Sequence, residues 1–286
     1  MIQVNDLSFH YAGSKKRVFD HFNLQLEANK VYGLLGKNGT GKSTLLYLLS
    51  GLLRPQQGKV IVDGHEAAKR HAAMLREIFI MPEEFTLPEV SVAHYAKLIA
   101  PFYPRFSNDI LRHCLEEFEL DTTVNLGRLS MGQKKKAFMS VALAANTRYM
   151  FMDEPTNGLD IPSKSQFRKV VASQMSDDRT LLLSTHQVHD VESLIDHILF
   201  LDADRLVLDQ PVSQITDRFV FEYRQPSDMA NVLYAEPTMQ GNAVIALRTP
   251  DKEESPINLE LFFNAVAQGK IDMNAEEETD RSSISE

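Results

Sequence analysis

The chain has 286 residues, 43% of them hydrophobic and 24% charged, which suits one large globular domain with an appendage. Its formal net charge is -9, with six acids against one arginine in residues 271–286, and no basic block stands out beyond Lys15-Lys16-Arg17 and Lys134-Lys135-Lys136, both read as solvated faces, so a general nucleic-acid binder is excluded. No run approaches about eighteen uninterrupted apolar residues, Ile2-Gln3-Val4 alternates like a strand instead of opening a signal peptide, and the lone Cys114 admits no internal disulfide, so a reducing cytosol is expected.

From Met1 to about Val62 the pattern is that of several strands. Lys30-Val31-Tyr32-Gly33-Leu34-Leu35 reads as a buried strand and Ser43-Thr44-Leu45-Leu46-Tyr47-Leu48-Leu49 as a helix. Between them Gly36-Lys37-Asn38-Gly39-Thr40-Gly41-Lys42-Ser43 fits G-x-x-x-x-G-K-[ST], which points to a nucleoside triphosphate with Mg²⁺. The glycines permit a tight turn that aims successive N–H groups at phosphate, helped by the helix N-terminus. Lys42 then reaches the β- and γ-phosphates, and the Ser43 hydroxyl ligates Mg²⁺. A further strand, Gly58-Lys59-Val60-Ile61-Val62, stops at the Asp63-Gly64 turn.

Between about Leu87 and Asn146 the periodicity is helical, with helices expected over Val90–Ala100, Asn108–Glu119 and Met131–Ala145 and a break bracketed by Pro101 and Pro104. Strand character returns at 148–152, 180–184 and 197–201, with a helix over Pro162–Met175, and this alternation predicts a parallel α/β sheet. The apolar strand Met150-Phe151-Met152 closes on Asp153-Glu154, a Walker B arrangement in which Asp153 holds Mg²⁺ and Glu154 polarises the attacking water as general base. Beyond Pro211, short strands at 218–224, 230–235 and 243–248 and an amphipathic helix over Asn258–Ala267 predict a small α+β appendage. The polar, acidic residues after Gly269 are expected to be disordered.

Leu129-Ser130-Met131-Gly132-Gln133 stands upstream of the Asp153 strand and opens a helix at Ser130. Together with the loop at Gly36 and the acids at Asp153, it makes the chain resemble the ATP-binding cassette (ABC) ATPases, whose signature is L-S-G-G-Q. Met131 departs from that signature at its third position. The resemblance implies a P-loop α/β core with a mixed sheet over 1–211, a helical insertion at about 87–146, the appendage over 212–269 and the tail over 270–286. It implies ATP contacts from Tyr11, stacking on adenine, and from Gly36, Lys37, Asn38, Gly39, Thr40, Gly41, Lys42, Ser43 and Thr44. It adds Ser130, Gly132 and Gln133 of the signature, and Asp160 of the D-loop Asn157-Gly158-Leu159-Asp160. Hydrolysis would fall to Lys42, Glu154 and His186, the last in the switch segment Ser184-Thr185-His186, and the metal to Ser43 and Asp153. In Phe79-Ile80-Met81-Pro82-Glu83-Glu84, Glu83 occupies the place of the family's glutamine. A carboxylate there either ligates Mg²⁺ or water, or is a solvated loop acid.

Ala100-Pro101-Phe102-Tyr103-Pro104-Arg105-Phe106 and Asn258-Leu259-Glu260-Leu261-Phe262-Phe263 look like segments of bacterial ABC-2-type exporter ATPases. That resemblance implies a homodimer, or a pair with another ABC ATPase, closed head to tail around two ATP molecules. It also implies a separate transmembrane permease subunit, docked near Glu83–Pro88 and Phe102, and a cytoplasmic location on the inner face of the membrane. A soluble ABC ATPase outside transport and a nucleotide-gripping module without turnover are the alternatives.

Overall fold

The computed structural model describes residues 1–176, 178–239, 241–249, 252–271 and 273. Strands β1 (Ile2–Phe9), β2 (Phe19–Leu26) and β3 (Val31–Leu35) are followed by helix α1 (Lys42–Leu49), then β4 (Gln57–Val62), β5 (His65–Glu66), α2 (Ala72–Leu75) and β6 (Ile78–Met81). The insertion carries α3 (Val92–Ile99), α4 (Asn108–Glu117) and α5 (Met131–Ala144). The core resumes with β7 (Tyr149–Asp153), α6 (Ile161–Ser173), β8 (Thr180–Thr185), β9 (His197–Asp202) and β10 (Arg205–Pro211). The appendage contains α7 (Val212–Arg218), β11 (Phe219–Arg224), β12 (Val232–Thr238), β13 (Gly241–Leu247) and α8 (Leu259–Ala267).

Local chemistry sets the helix starts. Ser91, Ser107, Ser130, Asp160 and Asn258 each accept a hydrogen bond from a backbone N–H in the first turn of the helix they precede. Such a cap is worth about 1 kcal/mol relative to alanine. α3 gives way to a tight 3₁₀ turn, Ala100–Phe102, where Pro101 cannot continue an α-helix.

Six strands form the central sheet in the order β10-β9-β3-β8-β7-β6. All neighbours in it run parallel except β10, which pairs antiparallel with β9, so the sheet is mixed, as the family resemblance implies, around five parallel strands. Both edges, β6 and β10, escaped the sequence reading, as did α7. β6 is only four residues long and runs straight into Pro82, too short to show a period. A four-stranded antiparallel sheet, β2-β1-β4-β5, covers one face, and the appendage has its own sheet, β11-β13-β12.

The central sheet divides two packed cores. On one side Leu34, Tyr149, Phe151, Leu182 and Leu199 meet α1 and the antiparallel sheet. On the other, Leu35, Met150, Met152, Leu181 and Leu183 meet the insertion, α6 and the appendage, whose Phe219, Ile245 and Phe262 belong to the same cluster. Phe200 and Phe263 lie edge to face across that junction, 4.7 Å between ring centres. The tail boundary needs correction, because Ile271 and Met273 are 6% and 8% exposed and pack into this core. Polar composition concealed two apolar anchors spaced to share one side of the chain. Residues 272 and 274–286, the rest of the expected disordered tail, lie outside the described residues.

Candidate functional site

The loop after β3 is built around backbone conformations that favour glycine. Gly36 has φ 158°, and a Cβ there would sit 2.4 Å from the Leu201 carbonyl oxygen; Gly41, at φ 102°, would press on Val18 at 2.8 Å. α1 starts immediately afterwards with no side-chain cap, which leaves its first N–H groups for an anion. Lys42 is buried and turns back on the loop, donating to the carbonyls of Gly36 at 2.8 Å and Lys37 at 3.2 Å. Burial pulls its pKa down, opposed by the charges of Glu154, Asp153 and Glu83. Thr40 Oγ1 also donates to the Lys37 carbonyl, at 2.9 Å. Ser43 is half-buried at the start of α1, and Thr44 is buried beside it.

The acids come from the end of β7, which is separated from β3 by β8. β7 and β8 pair so that Asp153 stands opposite Ser184, whose hydroxyl donates to the Asp153 carboxylate. One residue on, Glu154 accepts from Thr185 Oγ1 at 3.0 Å and from the His186 backbone N–H at 3.1 Å, and His186 Nδ1 lies 2.8 Å from its Oε1. Lys42 Nζ is 4.0 Å from the same oxygen. Glu154 has φ 44°, a left-handed conformation that a non-glycine residue holds only when its surroundings fix it. The three residues expected to carry hydrolysis therefore meet in one place.

Tyr11 is partly exposed, and its hydroxyl lies 2.9 Å from Thr44 Oγ1. It borders a cavity of about 350 Å³ lined also by Lys16, Arg17, Val18, Gly39 and Thr40. The Lys15-Lys16-Arg17 run is thus more than a solvated face, since two of its members border the phosphate loop. Arg17 is paired with Asp20.

The signature segment lies apart from this cluster. Among the described residues, no hydrogen bond or ion pair joins 129–133 to 36–43. Ser130 and Gln133 form a reciprocal capping box, with Ser130 Oγ accepting from the Gln133 N–H at 3.3 Å and Gln133 Oε1 from the Ser130 N–H at 3.1 Å. Met131 is 64% exposed, and Gly132 lies over Gly158, whose carbonyl a Cβ would meet at 3.6 Å. Asp160 caps α6, accepting from the Ser163 N–H at 2.9 Å, and hydrogen bonding with Ser163 holds its carboxyl below the usual range. The next residue, Ile161, is 84% exposed.

Glu83 is exposed and accepts from Asn157 Nδ2 at 2.9 Å, which ties it to the D-loop. No group of three or more His, Cys, Asp or Glu among the described residues could hold a metal alone. The two oxygen donors expected to hold the metal, the Ser43 hydroxyl and an Asp153 carboxylate oxygen, are a set that suits Mg²⁺, which is typically held by one or two protein oxygens together with phosphate oxygens and water. Glu83→Gln keeps an acceptor for Asn157 and removes a negative charge near the phosphates. It is expected to tighten ATP binding by up to about fivefold, the modest size reflecting solvent screening of an exposed acid. Unchanged affinity and unchanged Mg²⁺ dependence of turnover would exclude Glu83 from the site.

One participant went unread. Lys135, the middle of a basic run taken as a solvated face, is 4% exposed and donates to the carbonyls of Glu154 at 2.9 Å and Asn157 at 2.8 Å. Its helical spacing from the buried Phe138, Met139 and Ala142 was the available signal.

The ABC transporter family model matches residues 19–157, from β2 through the Glu154 turn. Within that span stand the phosphate loop, the signature segment and the paired acids described above. Residues 19–157 thus carry an ABC transporter ATP-binding domain. The arabinose import ATP-binding protein of Chromohalobacter salexigens is 29% identical over 95% of this chain, which spans 59% of that protein's length. The bacitracin transport ATP-binding protein of Bacillus licheniformis is 28% identical over 76% of this chain and 72% of its own. A solved structure of an ATP-binding subunit of an ABC transporter superposes with a TM-score of 0.67 and 25% identity, covering 75% of this chain and 91% of that one. As an ABC ATPase the chain binds and hydrolyses ATP.

Proposed function

We propose that this ABC ATPase is the energy subunit of an exporter, closing as a head-to-tail pair around two ATP molecules to drive a separate membrane permease. The observation that carries the reading is the split site. Lys42, Glu154 and His186 are assembled within one chain, whereas the helix end at Ser130 makes no bond to them and presents an exposed Met131 outward. A second copy bringing its Ser130 helix end to the γ-phosphate supplies the positive potential that the first lacks. Mg²⁺, bound through Ser43 and Asp153, would supply charge neutralisation at the phosphates. Lys42 leaves its own carbonyls for the β- and γ-phosphates, and Glu154 takes the proton of the attacking water while His186 orients it.

No helix among the described residues is long and apolar enough to cross a membrane, so transport calls for another subunit to provide the span. A groove of about 410 Å³ between the core and the insertion is lined by Leu52, Arg70, Arg76, Ile80 and Phe102. Phe102 stands 66% exposed at its rim, an apolar anchor for a short permease helix at the cytoplasmic face of the membrane. Phe102→Glu is expected to abolish co-purification with a polytopic membrane protein while leaving ATP binding within about twofold, because surface substitutions away from a site change little. A stable complex that survives this change, or a chain that never recovers a membrane partner, counts against the permease reading.

A further inference from the structure

Lys134 and Lys136 are only partly covered, whereas Lys135 is buried and turns into the protein. Its ammonium holds two backbone carbonyls, those of Glu154 and Asn157, at 2.9 and 2.8 Å. These oxygens bracket the turn on which the base sits, and Glu154 occupies that turn with φ 44°. Asn157 passes the connection on, donating its side-chain amide to Glu83 at 2.9 Å. One lysine of α5 therefore ties the signature helix to the base turn and, through Asn157, to the loop that carries Glu83.

The charges make the arrangement more specific than a packing contact. Asp153, Glu154 and Glu83 act on Lys42 and on Lys135 alike, three acids against two ammonium groups before any phosphate arrives. Burying an ammonium carries a desolvation penalty that an apolar side chain at this helix position would avoid. Burial does pull the Lys135 pKa down, with the three carboxylates opposing it.

We propose that Lys135 is a positioning residue for the Glu154 base, and that its charge offsets Glu83, the acid standing where the family has glutamine. The inference rests on the reading of Glu154 as base. Without Lys135 the Glu154 carbonyl keeps only the Asn157 N–H as donor, at 3.2 Å, the Asn157 carbonyl loses its ammonium partner, the left-handed turn loosens, and the carboxylate drifts from the line of attack. The nucleotide cradle at 36–44 keeps all its own contacts.

The test is steady-state kinetics with a parallel titration of a fluorescent ATP analogue. Lys135→Gln is expected to lower kcat by about 100-fold, the scale of a misplacement near 1 Å, with nucleotide affinity held within about twofold. Adding Glu83→Gln to it should recover about tenfold in kcat, a coupling typical of residues in one network. Lys135→Arg keeps the charge and the donors, and it should retain at least about a tenth of wild-type kcat; it carries the test should the glutamine variant not fold. Wild-type turnover in Lys135→Gln, a double variant whose effects simply add, or an arginine variant as slow as glutamine would each overturn the proposal. If Glu154→Gln is dead while Lys135→Gln is fully active, only this inference fails. If both turn over normally, the assignment of the base itself fails.

Discussion

Glu154→Gln is expected to lower ATP turnover by about 10²–10⁴-fold, the range that a positioned general base commonly contributes, while leaving nucleotide binding intact. The substitution suits its surroundings. A glutamine oxygen can still accept from the His186 N–H, and the amide group can donate to Thr185 Oγ1, so the present 3.1 Å and 3.0 Å contacts have counterparts. Its backbone preferences match those of glutamate closely enough to keep φ near 44°. What disappears is the ability to accept a proton from water. ATP then stays intact, and in the proposed pair the closed state accumulates because only hydrolysis removes the bridge between the two chains. Size-exclusion chromatography with Mg²⁺ and ATP should show a stable dimer of the variant and a monomer of the wild type. A variant that hydrolyses at the wild-type rate dismisses Glu154 as the base.

Lys42→Met is expected to produce the opposite split, with binding lost. A charge-assisted hydrogen bond contributes about 1.5–3 kcal/mol, which corresponds to roughly 10–150-fold in ATP affinity. The free protein sharpens this expectation. Lys42 already spends two donors on the carbonyls of Gly36 and Lys37, so binding ATP is an exchange of partners and the net gain is a difference between two sets of contacts. Methionine retains the length and apolar stem but can make neither set. Titration of a fluorescent ATP analogue measures the loss directly. An affinity within twofold of wild type would show that the phosphates are held by the loop N–H groups and the metal alone.

The parts of the site that touch phosphate through backbone were legible in the sequence because their geometry restricts residue type. Gly36 and Gly41 stand where a Cβ would collide, and Lys42 and Ser43 follow them at fixed spacing. Helix starts were legible for a similar reason, as Ser91, Ser107, Ser130, Asp160 and Asn258 all carry cap chemistry. Contacts that depend on which strands become neighbours were not. The hydrogen bonds from Thr185 and His186 to Glu154 exist because β8 lies beside β7 with Ser184 opposite Asp153, a pairing across 31 residues that no local pattern announces. Lys135 was hidden by composition: three consecutive lysines read as surface, although Lys136 reaches across to Gln166 of α6 and Lys135 points inward. Ile271 and Met273 were hidden in the same way, by the acidic residues around them.

The division of the interior by the central sheet has a mechanical meaning. The sheet is a bulkhead. On one side lie α1 and the antiparallel layer, packed through Leu34, Phe151 and Leu182; on the other the insertion and the appendage share a single compartment through Met152, Leu183 and Phe262. A load applied at the insertion and a load applied at the appendage are borne by the same packed volume, and the floor under the phosphate loop belongs to the other one. The phosphate loop thus leads into one side of the partition, while the insertion and the appendage hang together from the opposite side.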